Sequence, residues 1–240
     1  MRSISSHLVV IGIVSLVLSV TQAQASLMLD MTASGAVRTD GVAVFRQFSM
    51  DGSTGTGGID SFVRIQGNGT ERGYNTDGTP EFDTKTGSFT HSLLLSSIPE
   101  VTIGGVGHRE FLLDINQNSQ FLSLDAIKIY IADAGNLASY PAAFGTPVYD
   151  LGDYWLKLDA TLGSGSGSGD MLMYVPSSLF GADGAKYVYL YSAFGAQFAS
   201  NDGFEEWARG TEGSVTPEPA TLALLALGGV AMLLRRRRQP

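Results

Sequence analysis

The sequence predicts an all-β protein whose body is a jelly-roll-like sandwich of two sheets, preceded by a signal peptide and followed by an apolar helix. Two observations support this fold class. Glycine accounts for 30 of the 240 residues, and no stretch of the body keeps a helical period. Short runs of alternating apolar and polar residues recur instead, separated by Gly, Asn, Asp and Ser clusters, as is typical of strands and turns.

The first 25 residues form the predicted signal peptide. Arg2 precedes an apolar stretch over 8–20, and Ala23 and Ala25 complete an A-x-A cleavage site. We therefore expect export through the translocon, cleavage after Ala25 by signal peptidase, and a mature body of one domain over residues 26–214. A chain of that length can bury a substantial core.

The first half of the body alternates predicted strands with polar loops. A glycine-rich loop over 51–58 and a long polar loop over 67–85 separate the early strands. The predicted strands lie at 35–48, 59–66, 89–95, 101–103, 110–115 and 121–131. Within the last of these, Ile127, Ile129 and Ile131 share one face, which is a clear period of two.

The second half repeats this pattern. Strands are predicted over 154–162, 170–175, 187–194 and 204–209, with a single helical turn over 176–180. In the first of these strands Tyr154, Leu156 and Leu158 share a face. The GSGSGSG tract over 163–169 is predicted to be a flexible hairpin tip that joins two paired strands.

The charge balance restricts the partners of the body. The formal net charge of the chain is −8, and the body is more acidic still because five of the arginines lie in the two terminal segments. An acidic body argues against nucleic acid as a partner and is compatible with bound cations. Since the chain has no cysteine, disulfides and thiolate metal sites are excluded.

Signals for catalysis are weak, and we predict a non-enzymatic protein. Removal of the signal peptide leaves His91 and His108 as the histidines. No G-x-S-x-G elbow and no H-E-x-x-H motif occurs. A pair of catalytic carboxylates, as in glycosidases, stays a possible site, because the distance between the two groups in the folded protein decides the chemistry and a sequence does not give it. A secreted hydrolase is therefore the third alternative.

One acidic segment resembles a calcium-binding loop. Asp114, Asn116, Asn118 and Asp125 approximate the ligand spacing of the D-x-[DN]-x-[DN]-G pattern. Ser119 stands where that pattern has glycine. The alternative is an Asn-rich turn whose side chains cap their own backbone. A second acidic cluster comprises Asn201, Asp202, Glu205 and Glu206.

Three tyrosines form a possible carbohydrate-binding surface. Tyr187, Tyr189 and Tyr191 share one face of a predicted strand. An exposed row of rings would make a flat platform for sugars, but tyrosine is also common in strands because it packs well on a half-buried surface. We expect these rings to be packed, and an exposed row would favour a carbohydrate-binding module.

Residues 215–240 form a three-part terminal segment. Pro217, Glu218 and Pro219 precede an uncharged run over 220–234, which Arg235, Arg236, Arg237 and Arg238 follow. The run would measure about 22 Å as a helix, which is short against a bilayer core of about 30 Å. The arginines are expected to stay cytoplasmic, leaving the body outside. A plain C-terminal membrane anchor is the alternative to a processed one.

The three parts together resemble the PEP-CTERM sorting signal of exported bacterial proteins. The resemblance implies that an exosortase recognises Pro217, Glu218 and Pro219 and processes the tail. It also implies a membrane-anchored intermediate in a Gram-negative-type envelope, followed by release to the cell surface or extracellular matrix. Exopolysaccharide is an associated partner of such systems. The leading hypothesis is a structural or adhesive surface protein; the alternative is an exopolysaccharide-binding module.

Overall fold

The computed structural model describes residues 26–48, 59–163, 169–201 and 203–210. These residues form almost entirely β structure, with two short 3-10 helices at Leu95–Ser97 and Ser177–Leu179. The strands, in chain order, are β1 Leu27–Asp30, β2 Val37–Thr39, β3 Val44–Gln47, β4 Ser61–Ile65, β5 Asn68–Gly69, β6 Glu71–Tyr74, β7 Leu93–Leu94, β8 Glu100–Ile103, β9 Val106–Ile115, β10 Phe121–Ala132, β11 Tyr149–Asp150, β12 Tyr154–Asp159, β13 Met171–Pro176, β14 Tyr187–Phe194, β15 Ser200–Asn201 and β16 Glu205–Arg209.

Two large sheets carry the fold. Sheet A has the order β1-β12-β10-β14-β6, with β11 paired to β10 and β7 to β14. Sheet B has the order β2-β3-β13-β9-β16-β4, with β8 paired to β9, while β5 and β15 pair by themselves. The main strands pair antiparallel except for β1 and β12, which are parallel. The predicted two-sheet β-sandwich is confirmed.

The chain crosses repeatedly from one sheet to the other. It does so from β9 to β10, β12 to β13, β13 to β14 and β14 to β16. The predicted hairpin across the GSGSGSG tract is therefore wrong, because β12 lies in sheet A and β13 in sheet B. An alternating sequence shows that a strand has one buried face, but not which strand it bonds to. Residues 164–168 of that tract lie outside the described residues.

The predicted strand boundaries were least accurate before residue 100. The predicted loop over 67–85 contains β5 and β6, and the predicted strand over 35–48 is the hairpin of β2 and β3. Only Leu93–Leu94 is strand within 89–95. The sequence of β6, Glu71-Arg72-Gly73-Tyr74, carries no apolar alternation, so pairing with β14 decides its conformation.

The main hydrophobic core lies between the two sheets. The predicted faces are confirmed: Ile127 and Ile129 are buried in this core, and so are Leu156 and Leu158. Trp207 of sheet B is fully buried there and donates its Nε1–H to Ser192 Oγ of sheet A at 3.0 Å. This hydrogen bond joins the sheets at the centre of the sandwich and satisfies both buried polar atoms.

Candidate functional site

The two aspartates of the predicted calcium loop lie on opposite outer sides of the sandwich. Asp114 is on β9, directly across from Glu206 on the outer face of sheet B, and its Oδ1 accepts the Gly169 N–H at 2.9 Å. Asp125 sits at a bulge in β10 of sheet A, where its Oδ2 accepts the Ala196 N–H at 2.7 Å. The structure does not gather these two carboxylates around one ion.

The two asparagines of the predicted loop connect neighbouring segments through their backbones. Asn116 donates its N–H to Phe204 O, and Asn118 donates its N–H to the Asn201 side chain. No group of three or more His, Cys, Asp or Glu side chains within the described ranges is arranged to hold a metal. Calcium binding by this segment stays a prediction.

Both histidines bond to backbone carbonyls. The Nδ1 atom of His91 lies 2.8 Å from Ser92 O, and that of His108 lies 2.9 Å from Val106 O. His108 belongs to β9 rather than to the expected turn. These contacts hold each ring next to its own backbone.

The predicted tyrosine row is packed. Tyr189 and Tyr191 are 1 % and 7 % exposed on the outer face of sheet A, and Tyr187 is partly buried against the same cluster. The segment over 136–146 covers them: Tyr140 stacks on Tyr191 with ring centroids 4.3 Å apart, and Phe144 meets Tyr189 edge to face. The rings form a second, aromatic core and leave no flat platform for a sugar.

A carboxylate fixes this covering segment. Glu81 accepts hydrogen bonds from the Tyr74 hydroxyl at 2.6 Å and from the Ser139 and Tyr140 N–H groups. The Tyr74 hydroxyl, followed by the backbone donors, holds the pKa of Glu81 below its usual range. Glu81 therefore stays ionised and ties the covering segment to the sandwich.

A cleft of about 350 Å³ opens beside the aromatic cluster. Its polar lining comes from Thr70, from Glu71 and Arg72 on β6, from Asp83 after it, from Asp125 on β10 and from Tyr191 on β14. Arg72 lies over the Phe82 ring, 4.2 Å from its centroid, which leaves the guanidinium edge for hydrogen bonding. The sequence missed Arg72 and Asp83 because the polar run over 67–85 reads as a loop.

The carboxylates of the cleft already bond to backbone N–H groups. Asp83 Oδ2 accepts from Arg72 N at 2.9 Å, and Asp125 Oδ2 accepts from Ala196 N and from the Ser123 hydroxyl. Burial raises the pKa of Asp125 despite these bonds. The cleft offers carboxylate acceptors, the Arg72 guanidinium and the Tyr191 ring. This combination suits a polar, hydroxyl-rich ligand.

The predicted terminal sites lie outside the described residues. These are the cleavage positions Ala23 and Ala25, the motif Pro217, Glu218 and Pro219, and the arginines 235–238. Within the described ranges no helix is long and apolar enough to cross a membrane.

Fold and site together define a β-sandwich protein with a small polar cleft and an aromatic face that the segment over 136–146 covers. Residues 215–238 match the family model of the PEP-CTERM protein-sorting motif, which confirms the resemblance seen in the sequence. The chain therefore carries the sorting motif that is typical of exported proteins sorted by an exosortase. No curated protein and no solved structure matches it significantly.

Proposed function

We propose that this protein is a non-enzymatic structural or adhesive component of the cell surface or extracellular matrix, delivered by its tail. The observation that carries the proposal is the match of residues 215–238 to the PEP-CTERM sorting motif. In this proposal Pro217, Glu218 and Pro219 are the element that the exosortase grips, since two prolines hold that approach extended.

The body supports a role as cargo. Its histidines bond to backbone carbonyls, and the two cleft aspartates that could serve as an acid–base pair accept backbone N–H bonds. A general acid or base must instead reach the proton that it transfers. The closed aromatic face and the inter-sheet hydrogen bond of Trp207 suit a rigid module.

The test is cell fractionation followed by intact-mass analysis of the exported protein. We expect the mature form to lack both the first 25 residues and the mass downstream of Pro219. Replacing the motif by Pro217→Ala, Glu218→Ala and Pro219→Ala should leave the tail mass in place and hold the protein in the membrane fraction. The matched control is Glu212→Ala, which removes a glutamate six positions before Glu218 and should be processed normally.

Two outcomes would contradict the proposal. A mature form that keeps Arg235 to Arg238 in the membrane would identify a plain anchor. Equal processing of the motif variant and the Glu212→Ala control would show that the Pro-Glu-Pro element is not what is recognised.

A second candidate function, binding of exopolysaccharide, is favoured by the cleft. Arg72, Asp83 and Tyr191 line the same cleft, and sugars combine polar edges with apolar faces. Affinity electrophoresis in the host's own exopolysaccharide should retard the wild-type protein but not Arg72→Ala. Arg38→Ala, on the exposed strand β2, is the charge-matched control. Equal mobility of all three proteins would remove this candidate.

A further inference from the structure

Two glutamates point into the sandwich between its sheets. Glu205 on β16 lies across from Ile65 and Ile115, both of which belong to the main core. Glu71 on β6 lies across from the core residue Phe194. Directly paired residues of an antiparallel ladder share a face, so each carboxylate faces the interior, one from each sheet.

The two carboxyl groups meet there with an incomplete set of partners. Glu71 and Glu205 are 2 % and 0 % exposed, and the two side chains are hydrogen-bonding neighbours. One oxygen of each is engaged: Gly67 N–H donates to Glu71 Oε2, and Gln117 Nε2–H donates to Glu205 Oε1. Apart from the facing carboxyl group, the other oxygens, Glu71 Oε1 and Glu205 Oε2, have no hydrogen-bond partner among the described residues.

The surroundings of the pair add negative charge and oxygen atoms. Burial, followed by the neighbouring Glu71, raises the pKa of Glu205 to about 11, and Asp114 adds to the effect. The Ser200 hydroxyl accepts from Gln117 Nε2 at 3.4 Å and donates to Gly67 O at 3.1 Å. Two buried carboxylates without a cation are costly, because each loses its hydration and they repel each other.

We propose that Glu71 and Glu205 bind one calcium ion between the sheets. The two unpartnered oxygens offer it a ligand from each sheet, and its double charge balances both carboxylates, whereas a shared proton would balance only one. Calcium fits the two carboxylates because it takes oxygen ligands; the Ser200 hydroxyl and the Gly67 carbonyl are the other oxygens beside the pair, and water would complete a shell of six to eight. The ion would link β6 of sheet A to β16 of sheet B.

This site differs from the loop predicted from the sequence. It uses neither Asp125 nor the two asparagines, and it depends on two carboxylates rather than on a group of three. The proposal is also independent of the proposed function, because it concerns the folded body and not the fate of its tail. A failure of calcium binding would leave the sorting experiment unaffected.

The test is a calcium titration of the purified exported protein after treatment with EGTA. We expect the Tm to rise by roughly 5–10 °C at a calcium concentration about 100-fold above Kd. Neither Glu71→Gln nor Glu205→Gln should show the rise. Both variants should fold, since each removes a charge from a buried pair. Glu100→Gln, at a half-exposed carboxylate on β8 paired with Arg109, is the control and should respond like the wild type.

Calorimetric titration of the wild-type protein tests the site without any variant. It should report one calcium per chain and much weaker binding of magnesium, which demands a tighter octahedral shell. A Tm that neither calcium nor EGTA changes would overturn the proposal. So would a calcium response retained in both glutamine variants. A Tm that is insensitive to calcium but rises in Glu205→Gln at neutral pH would show that the pair shares a proton instead.

Discussion

Asp170 should make the stability of the sandwich fall as pH rises through neutrality. Its side chain is 6 % exposed at the start of β13, where Oδ2 accepts the Ile115 N–H at 2.7 Å. Burial raises the pKa of this carboxyl to about 8, and Asp114 and Asp159 contribute by their negative charge. Asp170→Asn keeps an oxygen acceptor for Ile115 while removing the ionisable group.

The size of the effect follows from the two pKa values. An unfolded aspartate has a pKa of about 3.9, so between pH 4 and 8 the folded carboxyl keeps a proton that the unfolded one has released. Stability therefore is greatest below the unfolded pKa and declines with rising pH by about 1.4 kcal/mol per unit, until the folded pKa is reached. From pH 5 to pH 8 this amounts to about 3.5–4 kcal/mol, because the slope flattens as pH approaches the folded pKa.

Urea unfolding of the wild type and of Asp170→Asn at several pH values measures this contribution. The free energy of unfolding of the variant, relative to wild type, should increase by about 3.5–4 kcal/mol between pH 5 and 8. Subtracting the two curves cancels groups such as Asp30 and Glu81, whose lowered pKa values act at acid pH. A difference that stays constant with pH would refute the reasoning, because it would mean that Asp170 is ionised in the folded protein.

Two further predictions concern the main hydrophobic core and the aromatic core on the outer face of sheet A. Trp207→Phe should lower the free energy of unfolding by about 2–4 kcal/mol, because it leaves a cavity and deprives Ser192 of its donor. Adding Ser192→Ala to that variant should cost less than it does in the wild type, and a strictly additive cycle measured in urea would contradict the inter-sheet bond. Tyr140→Ala should cost about 2–4 kcal/mol through loss of its contact with Tyr191. It should also expose Tyr191 to solvent, detectable by ultraviolet difference spectroscopy; an unchanged spectrum would contradict the covering role of Tyr140.

The sequence predicts well those structural features that depend on the residues of a single segment. Ile127 and Ile129 alternate with polar neighbours, and this alone places them on the core side of β10. The turn at Ser177–Leu179 follows a proline and is likewise local. Each of these predictions required only the residues of one segment and was confirmed without knowledge of any partner strand.

Features that depend on which strands pair with each other could not be predicted from the sequence. The alternating segments β12 and β13 look alike on either side of the glycine-serine tract, yet they belong to different sheets. Asp114 and Asp125 are eleven positions apart in the chain, but the crossing from β9 to β10 puts them on opposite sides of the sandwich. Spacing in a sequence translates into distance only inside one continuous loop, and here a change of sheet intervenes.

The inward orientation of Glu205 could have been predicted from the two-residue period of its strand. It lies two positions before the core residue Trp207, so the alternation of β16 places it on the inner face, while Glu206 turns outward to Arg64 at 2.6 Å. Treating the two neighbouring glutamates as one acidic cluster concealed that difference. A carboxylate in phase with a core tryptophan is a signal that a sequence can reveal. Its counterpart Glu71 could not be found in this way, because β6 has no apolar pattern and faces the interior only through its pairing with β14.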